Sequence, residues 1–243
     1  MKKLLPTVLA ILSAGAATAT AQTLITTFSG GDPGEGLQLQ GTFLPGYAVY
    51  AGPAGETATY QIQNALFENS LVAGGIDISA PNETAFGSPN YGVTTNDTGL
   101  TSITDFVRFG GAGLASGTTG VLITAPVTAG TQYRLQLLFN EACCANRGFD
   151  VFADNILVTT DFNPSVVQGG VNNGNNLPGA LITYTFFATD ATLDVELRVS
   201  NPPFSDSNAI IDAVSLQVVP EPGTAILAAM SGAGLLALRR RRR

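Results

Sequence analysis

The segment ATLDVELRV, residues 191–199, alternates apolar and polar side chains without a break. Every apolar residue in it has an odd number, and every charged residue has an even number. Successive side chains of a β-strand point to opposite faces, so the segment predicts a strand with one buried and one solvated face. A helix would scatter the same apolar residues around its circumference.

The same period recurs through the chain on both sides of this segment. Residues 131–140, TQYRLQLLFN, place four bulky apolar side chains on one face. Residues 148–153 and 156–160 flank Asp154 and Asn155, a pair that tolerates positive φ and predicts a tight hairpin. Turn residues interrupt the pattern about every eight to twelve positions, and no stretch gives a convincing helix period. Residues 22–218 are therefore expected to form one all-β domain of two packed antiparallel sheets.

The composition excludes several kinds of chemistry. The chain has 243 residues, with no histidine and no tryptophan. Without an imidazole there can be no Ser-His-Asp or Cys-His hydrolysis and no His-ligated zinc. Residues 22–218 hold four arginines against 17 acidic residues, a net charge of −13. A body this acidic is expected to repel nucleic acid and anionic lipid.

The first 21 residues have the order of a secretory signal peptide. Lys2 and Lys3 precede an apolar run at residues 4–12, and small residues follow up to Ala19 and Ala21. This order predicts export and removal of residues 1–21 by signal peptidase. The alternative is an uncleaved anchoring helix, for which the apolar run is short.

The last 25 residues, 219–243, contain an apolar segment followed by a basic cluster, the reverse of the order at the N-terminus. Residues 224–238 carry no charge, and as a helix they would cover about 22 Å, less than the roughly 30 Å of a hydrocarbon core. The cluster that follows would keep the C-terminus on the cytoplasmic side. It consists of Arg239, Arg240, Arg241, Arg242 and Arg243. We expect a transient membrane segment, with a permanent tail anchor as the alternative.

This tail resembles the PEP-CTERM sorting signal of exopolysaccharide-producing Gram-negative bacteria. The three parts of that signal stand here in the same order: Pro220, Glu221 and Pro222, then the apolar segment, then the arginine cluster. The resemblance implies recognition of the Pro-Glu-Pro motif by an exosortase, a membrane cysteine protease, and removal of the tail. Two prolines keep a segment extended, which suits a protease cleft.

The body resembles malectin-like and galactose-binding-like domains. The resemblance lies in YRLQLLF, followed after an insertion by RGFDVFADNILVTTDF, all within residues 131–162. It implies a jelly-roll β-sandwich of a kind that often binds carbohydrate. The residues with which malectin holds its sugar have no secure counterpart here, so binding does not follow from the fold alone.

Cys143 and Cys144 are adjacent and are the only cysteines. In an oxidising compartment we expect a vicinal disulfide between them, with intermolecular bridges or free thiols as alternatives. Such a ring would stiffen the loop between two strands. A sharper hypothesis is that it presents a rigid apolar surface to a ligand or partner.

Asp212 is a candidate ligand for structural calcium. It shares its parity with the apolar residues of the segment 210–218, which places a carboxylate in line with the core. A buried carboxylate must be paired, protonated or bound to a cation. Asp32 and Glu35 of the first loop are the candidate co-ligands. The alternative is a hydrated Asp212 at the mouth of a strand.

Tyr91 and Phe204 are the candidate sugar-binding residues. A pyranose packs its C–H face on an aromatic ring, and both residues lie in polar loops. The alternative for each is a loop anchor packed against the edge of the sandwich.

These features predict an exported, exosortase-processed protein of the cell surface or extracellular matrix. Its body is expected to be a non-catalytic carbohydrate-binding or adhesion module of the exopolysaccharide layer. A structural matrix protein without a specific ligand is the first alternative, and a divergent polysaccharide hydrolase is the second. The acidic residues could supply the two carboxylates of a glycosidase, but no catalytic signature accompanies them.

Overall fold

The computed structural model describes residues 20–31, 36–87, 89–111, 113–172, 176–200, 202–206 and 208–220. The signal peptide up to Ala19 lies outside these ranges, as does the tail from Glu221 onward with Pro222 and the arginine cluster. The two predicted targeting segments therefore stay predictions. Within the ranges described, neither helix is long and apolar enough to cross a bilayer.

A seven-stranded sheet forms the larger layer. Its central strands include segments whose apolar and polar residues alternate in the sequence. When these strands pair, their apolar side chains face one common core. Numbered in chain order and given in spatial order, its strands are β1 (Gln22–Phe28), β12 (Gly179–Phe187), β9 (Gln132–Phe139), β15 (Ala213–Val218), β2 (Ala48–Tyr50), β4 (Ala65–Asn69) and β3 (Tyr60–Ile62).

A five-stranded sheet packs against it, and a short three-stranded sheet lies beside them. The five strands are β11 (Ile156–Phe162), β10 (Phe149–Ala153), β13 (Thr192–Val199), β8 (Thr119–Pro126) and β5 (Asp77–Ser79). The three strands are β14 (Ile210–Ile211), β7 (Phe106–Phe109) and β6 (Asn82–Ala85). The predicted all-β sandwich is confirmed, and strand β13 buries the face that the sequence assigned to the core.

The predicted hairpin is also confirmed. Strands β10 and β11 are joined by Asp154 and Asn155, whose φ angles are 48° and 63°. Positive φ at both positions gives the turn a twist that matches the flanking strands.

Two hydrophobic cores lie on opposite faces of the seven-stranded sheet. The main core fills the space between the two large sheets. The second core lies between the outer face and a cover that includes Leu37, Leu39, Leu100 and Ile103. One end of the outer face is therefore buried, although the sequence pattern predicts solvent there.

The described part of the body contains two short helices, which no helical period in the sequence indicated. Helix α1 (Thr95–Ile103) begins with a capping box, in which the Thr94 hydroxyl accepts from the Asp97 amide and the Asp97 carboxylate accepts from the Thr94 amide. Only Leu100 and Ile103 give it an apolar side, too few for a periodic signal. Helix α2 (Pro164–Gln168) is a single turn that ends at Gly169, where φ is 85°.

Three phenylalanines lie together where β9, β10 and β11 meet at one end of the sandwich. Phe139 and Phe149 are fully buried, and their ring centroids lie 4.9 and 5.6 Å from that of Phe162. Aromatic pairs at these separations stabilise beyond the area they bury. This cluster lies next to the loops that carry the candidate site.

Candidate functional site

Glu141 is a fully buried carboxylate in the loop that follows β9. Its Oε1 atom accepts hydrogen bonds from the amides of Cys143 and Cys144 at 3.0 and 2.8 Å. Its Oε2 atom lies 3.2 Å from Nη1 of Arg147. A charge removed from water is stable only with such partners. Burial raises the pKa of Glu141, and Arg147 and the two amides oppose that rise.

Arg147 connects this loop to the one between β13 and β14. Its Nη2 and Nε atoms lie 3.0 and 3.2 Å from the same oxygen of Asp206. The other oxygen of Asp206 accepts from the backbone and side-chain nitrogens of Asn208. We call Glu141, Arg147 and Asp206 the ion-pair network.

A third loop is fixed to the same point. The Gln168 side chain accepts from the Glu141 amide at 3.0 Å and donates to the Glu141 carbonyl at 2.7 Å. The amide of Asn172 donates to that carbonyl as well, at 2.7 Å. Two other parts of the chain are therefore fixed to the β9–β10 loop, one at Glu141 and the other at Arg147.

Cys143 and Cys144 are joined in a vicinal disulfide. Cys143 is exposed, and Cys144 is half-buried. Their sulfurs lie close enough to the Glu141 carboxylate to form a cluster of metal-ligand type. A sulfur in a disulfide is not a thiolate, the form of cysteine that binds metals. In this state the turn stiffens the loop above the ion-pair network.

Asp212 is fully buried at the break between β14 and β15, rather than open to solvent at a strand mouth. Its Oδ2 atom accepts from the amide of Asn140 at 2.7 Å. Burial raises the pKa of Asp212 well above its usual range. Asp32 and Glu35 lie outside the described ranges, and within them no cluster of three ligand groups includes Asp212. The calcium site stays a prediction.

Tyr91 has its ring in the second core and only 7% of its surface exposed. The ring centroid lies 5.7 Å from that of Phe28. A ring so covered offers no face to a sugar, so Tyr91 is a loop anchor. The hypothesis that it binds a ligand is wrong because its loop folds inward over α1.

Phe204 is half-buried and lines an open cleft of about 290 Å³. Its ring lies so close to Gly148 that a Cβ atom there would be 2.0 Å from the ring. A glycine is therefore required at position 148. The cleft is also lined by Ile25, Thr159, Thr160, Asp161, Phe162, Asn163, Val166 and Val167. We call it the Phe204 cleft.

The rim of this cleft is polar and held in place. Asp150 accepts from the Thr160 hydroxyl at 2.9 Å and from the Asp161 amide at 2.8 Å. Asp161 itself is exposed and accepts from the hydroxyl of Ser200. Among the residues that line the cleft it is the one carboxylate. A hydrolase of the usual kind would need two carboxylates facing one bond.

The ion-pair network was not among the residues singled out from the sequence. Glu141 follows a strand directly, and Arg147 is one of only four arginines in the body. The scarcity of arginine was the available signal, since a body with so many acids will pair its few cations. Glu141 and Arg147 share the β9–β10 loop, but Asp206 comes from the loop between β13 and β14, and no spacing in the sequence reveals that contact.

No protein-family model and no curated protein matches the chain. Among solved structures, it is similar to a chain in the crystal structure of plant peptide RALF23 in complex with FER and LLG2. The TM-score is 0.50, the identity is 12%, and the match covers 72% of this chain and 49% of that chain. For the ANXUR2 extracellular domain from Arabidopsis thaliana the TM-score is 0.47 and the identity is 12%. The match covers 83% of this chain and 50% of that chain. For a beta-glucuronidase of Bacteroides uniformis the TM-score is 0.43 and the identity is 12%. The match covers 61% of this chain and 15% of that chain.

The chain spans half or less of the length of these proteins. At such low identity the first likeness establishes the fold alone. The likeness agrees with the β-sandwich fold of the body. The narrower resemblance to malectin-like domains stays a prediction.

Replacing Arg147 by methionine is expected to lower the free energy of unfolding by about 3–5 kcal/mol. The substitution leaves the buried Glu141 carboxylate without its cation. Arg198→Met is the matched control, because the Arg198–Glu196 pair is partly exposed, and it should cost about 1 kcal/mol. Denaturant titration of both variants measures the difference. Equal losses would contradict a structural role for the network.

Asp212→Asn is expected to change the pH dependence of stability. Because the folded pKa of Asp212 is raised, the folded state holds a proton that the unfolded state releases as pH rises above about 4. This group therefore lowers the free energy of unfolding with rising pH. Denaturant titrations from pH 4 to 8 should show a smaller decline in the variant than in the wild type. Parallel curves would argue against a perturbed Asp212.

Proposed function

We propose that the protein is an exported, non-catalytic carbohydrate-binding module of the extracellular polysaccharide layer, with the Phe204 cleft as its binding site. The observation that supports this most is the half-buried Phe204 ring in an open cleft with hydroxyl, amide and carboxylate groups at its rim. Sugar ligands require an apolar face beside a few placed polar groups. The β-sandwich fold is compatible with a binding module, but a fold alone does not specify a ligand.

The position of Phe204 supports the proposal further. Asp206 follows Phe204 by two positions in the same loop. Its ion pair with Arg147 ties this loop to the body. Gly148 lets the ring lie directly on the backbone. A platform fixed in advance loses little conformational freedom when a ligand binds.

We also propose that an exosortase recognises Pro220, Glu221 and Pro222 and removes the tail. Within the described part, the amide of Val219 donates to the Gln132 carbonyl at 2.9 Å, and Pro220 is exposed directly after it. The motif would thus begin where the chain leaves the sandwich. The protein would pass through the inner membrane and remain at the cell surface or in the matrix.

Phe204→Ala is expected to weaken glycan binding roughly tenfold, because the apolar face for the sugar is lost. The measurement is affinity electrophoresis of the protein through gels that contain neutral bacterial and plant polysaccharides. Phe187→Ala is the matched control, since Phe187 is exposed at the end of β12 and does not line the cleft. Melting temperatures check that both variants fold.

If Phe204→Ala migrates like the wild type in a polysaccharide that retards both, the cleft is not the site. If no polysaccharide retards the wild type, a structural matrix protein without a specific ligand accounts better for the chain.

A further inference from the structure

Arg134 differs from the other three arginines of the body. Arg108, Arg147 and Arg198 each lie within 4.0 Å of a carboxylate. Over the ranges that the structure describes, Arg134 makes no ion pair. In a body with 17 acidic residues, an arginine without a carboxylate partner is exceptional.

Arg134 lies in a groove of about 510 Å³ on the outer face of the seven-stranded sheet. The sheet register places Arg134 on β9 opposite Thr185 on β12, and Thr185 opposite Gln22 on the edge strand β1. With strands about 4.8 Å apart, this row extends roughly 10 Å across the sheet. The remaining lining residues are Thr23, Leu24, Gln38 and Thr183.

Apart from Arg134 and Leu24, the described lining residues of the groove are threonines and glutamines, which are uncharged hydrogen-bonding groups. On the row next to Arg134, Gln136 donates to the Thr183 hydroxyl at 3.3 Å and accepts from the Gln38 amide at 3.2 Å. These bonds hold the loop that bears Gln38 against the sheet. Among the described residues that line the groove none is a carboxylate, and Leu24 is the only large apolar one.

This combination selects a class of ligand. A guanidinium forms a planar, charge-assisted pair with a carboxylate, and threonine and glutamine side chains exchange hydrogen bonds with hydroxyls. A peptide would need apolar pockets for its side chains, and one leucine does not supply them. An acidic sugar carries a carboxylate and several hydroxyls on one ring, which matches the groups present.

The acidic charge of the whole body does not prevent this. At physiological ionic strength, interactions between exposed charges fade beyond about 8 Å. Within the described part of the chain, Arg134 is the only charged residue that lines the groove, so the local charge there is positive. An anionic group can therefore be attracted here although the body repels polyanions at longer range.

We infer that this groove, the Arg134 groove, is a second binding site, which takes the carboxylate of an acidic polysaccharide. It shares no lining residue with the Phe204 cleft, so the inference goes beyond the proposed function and does not depend on that cleft.

The test is calorimetric titration of the full-length chain with oligomannuronate and with the same oligosaccharide after its carboxylates have been reduced to alcohols. The wild type should bind the acidic form at least about tenfold more tightly, because a hydrogen bond to a charged group is lost in the reduced form. Arg134→Gln should remove this preference, and its melting temperature should show that the sheet remains folded.

Two further variants make the result specific. Arg198→Gln removes the same charge from the other large sheet and should keep the preference. Phe204→Ala should keep it as well. The inference is overturned if the wild type shows no preference, if Arg134→Gln retains it, or if Arg198→Gln loses it equally. Loss in Phe204→Ala but not in Arg134→Gln would place the carboxylate in the Phe204 cleft, which contradicts this inference and leaves the proposed function standing.

Discussion

A buried carboxylate that must be neutralised organises the functional end of this sandwich. Glu141 is completely removed from solvent, and both of its oxygens are engaged, one by two backbone amides and the other by Arg147. Arg147 in turn binds Asp206. Because a lone charge in this position would cost several kcal/mol, the two loops that carry these groups are tied to one arrangement.

That arrangement determines where the candidate binding surface lies. The loop held by Asp206 also carries Phe204, and the loop held by Glu141 carries the vicinal disulfide and leads to Gly148, on which the Phe204 ring packs. A sandwich supplies rigid strands, and its loops must be fixed separately if they are to bind with little entropic cost. Here the ion-pair network provides that fixation, and the disulfide stiffens the turn beside it.

The strands and the β10–β11 hairpin could be predicted because their signals are local. Alternation at β13 and a turn pair at Asp154 and Asn155 depend on a few adjacent residues, and the structure has both the strand and the hairpin. Helix α1 was missed because it rests on a cap and two apolar residues. The parity of Asp212 placed it in line with the core but left a hydrated position open, and it could not reveal the partner, the amide of Asn140.

Loop residues were harder to predict, because their surroundings come from distant parts of the chain. Tyr91 and Phe204 look alike in the sequence, each an aromatic residue among polar neighbours, yet one is packed under its loop and the other lines a cleft. The Arg147–Asp206 pair and the Arg134 groove depend on contacts between residues more than twenty positions apart, for which a single sequence carries no direct signal. Only the scarcity of arginine pointed toward them.

Amide hydrogen exchange at Cys143 and Cys144, followed by NMR in the wild-type protein, tests the organising role of Glu141 most directly. Both amides lie in a turn near the surface and yet donate to a buried carboxylate. The account predicts that they exchange slowly, at rates close to those of the amides in β9 and β10, because their opening requires the ion-pair network to break. Exchange as fast as that of an unstructured loop would contradict it.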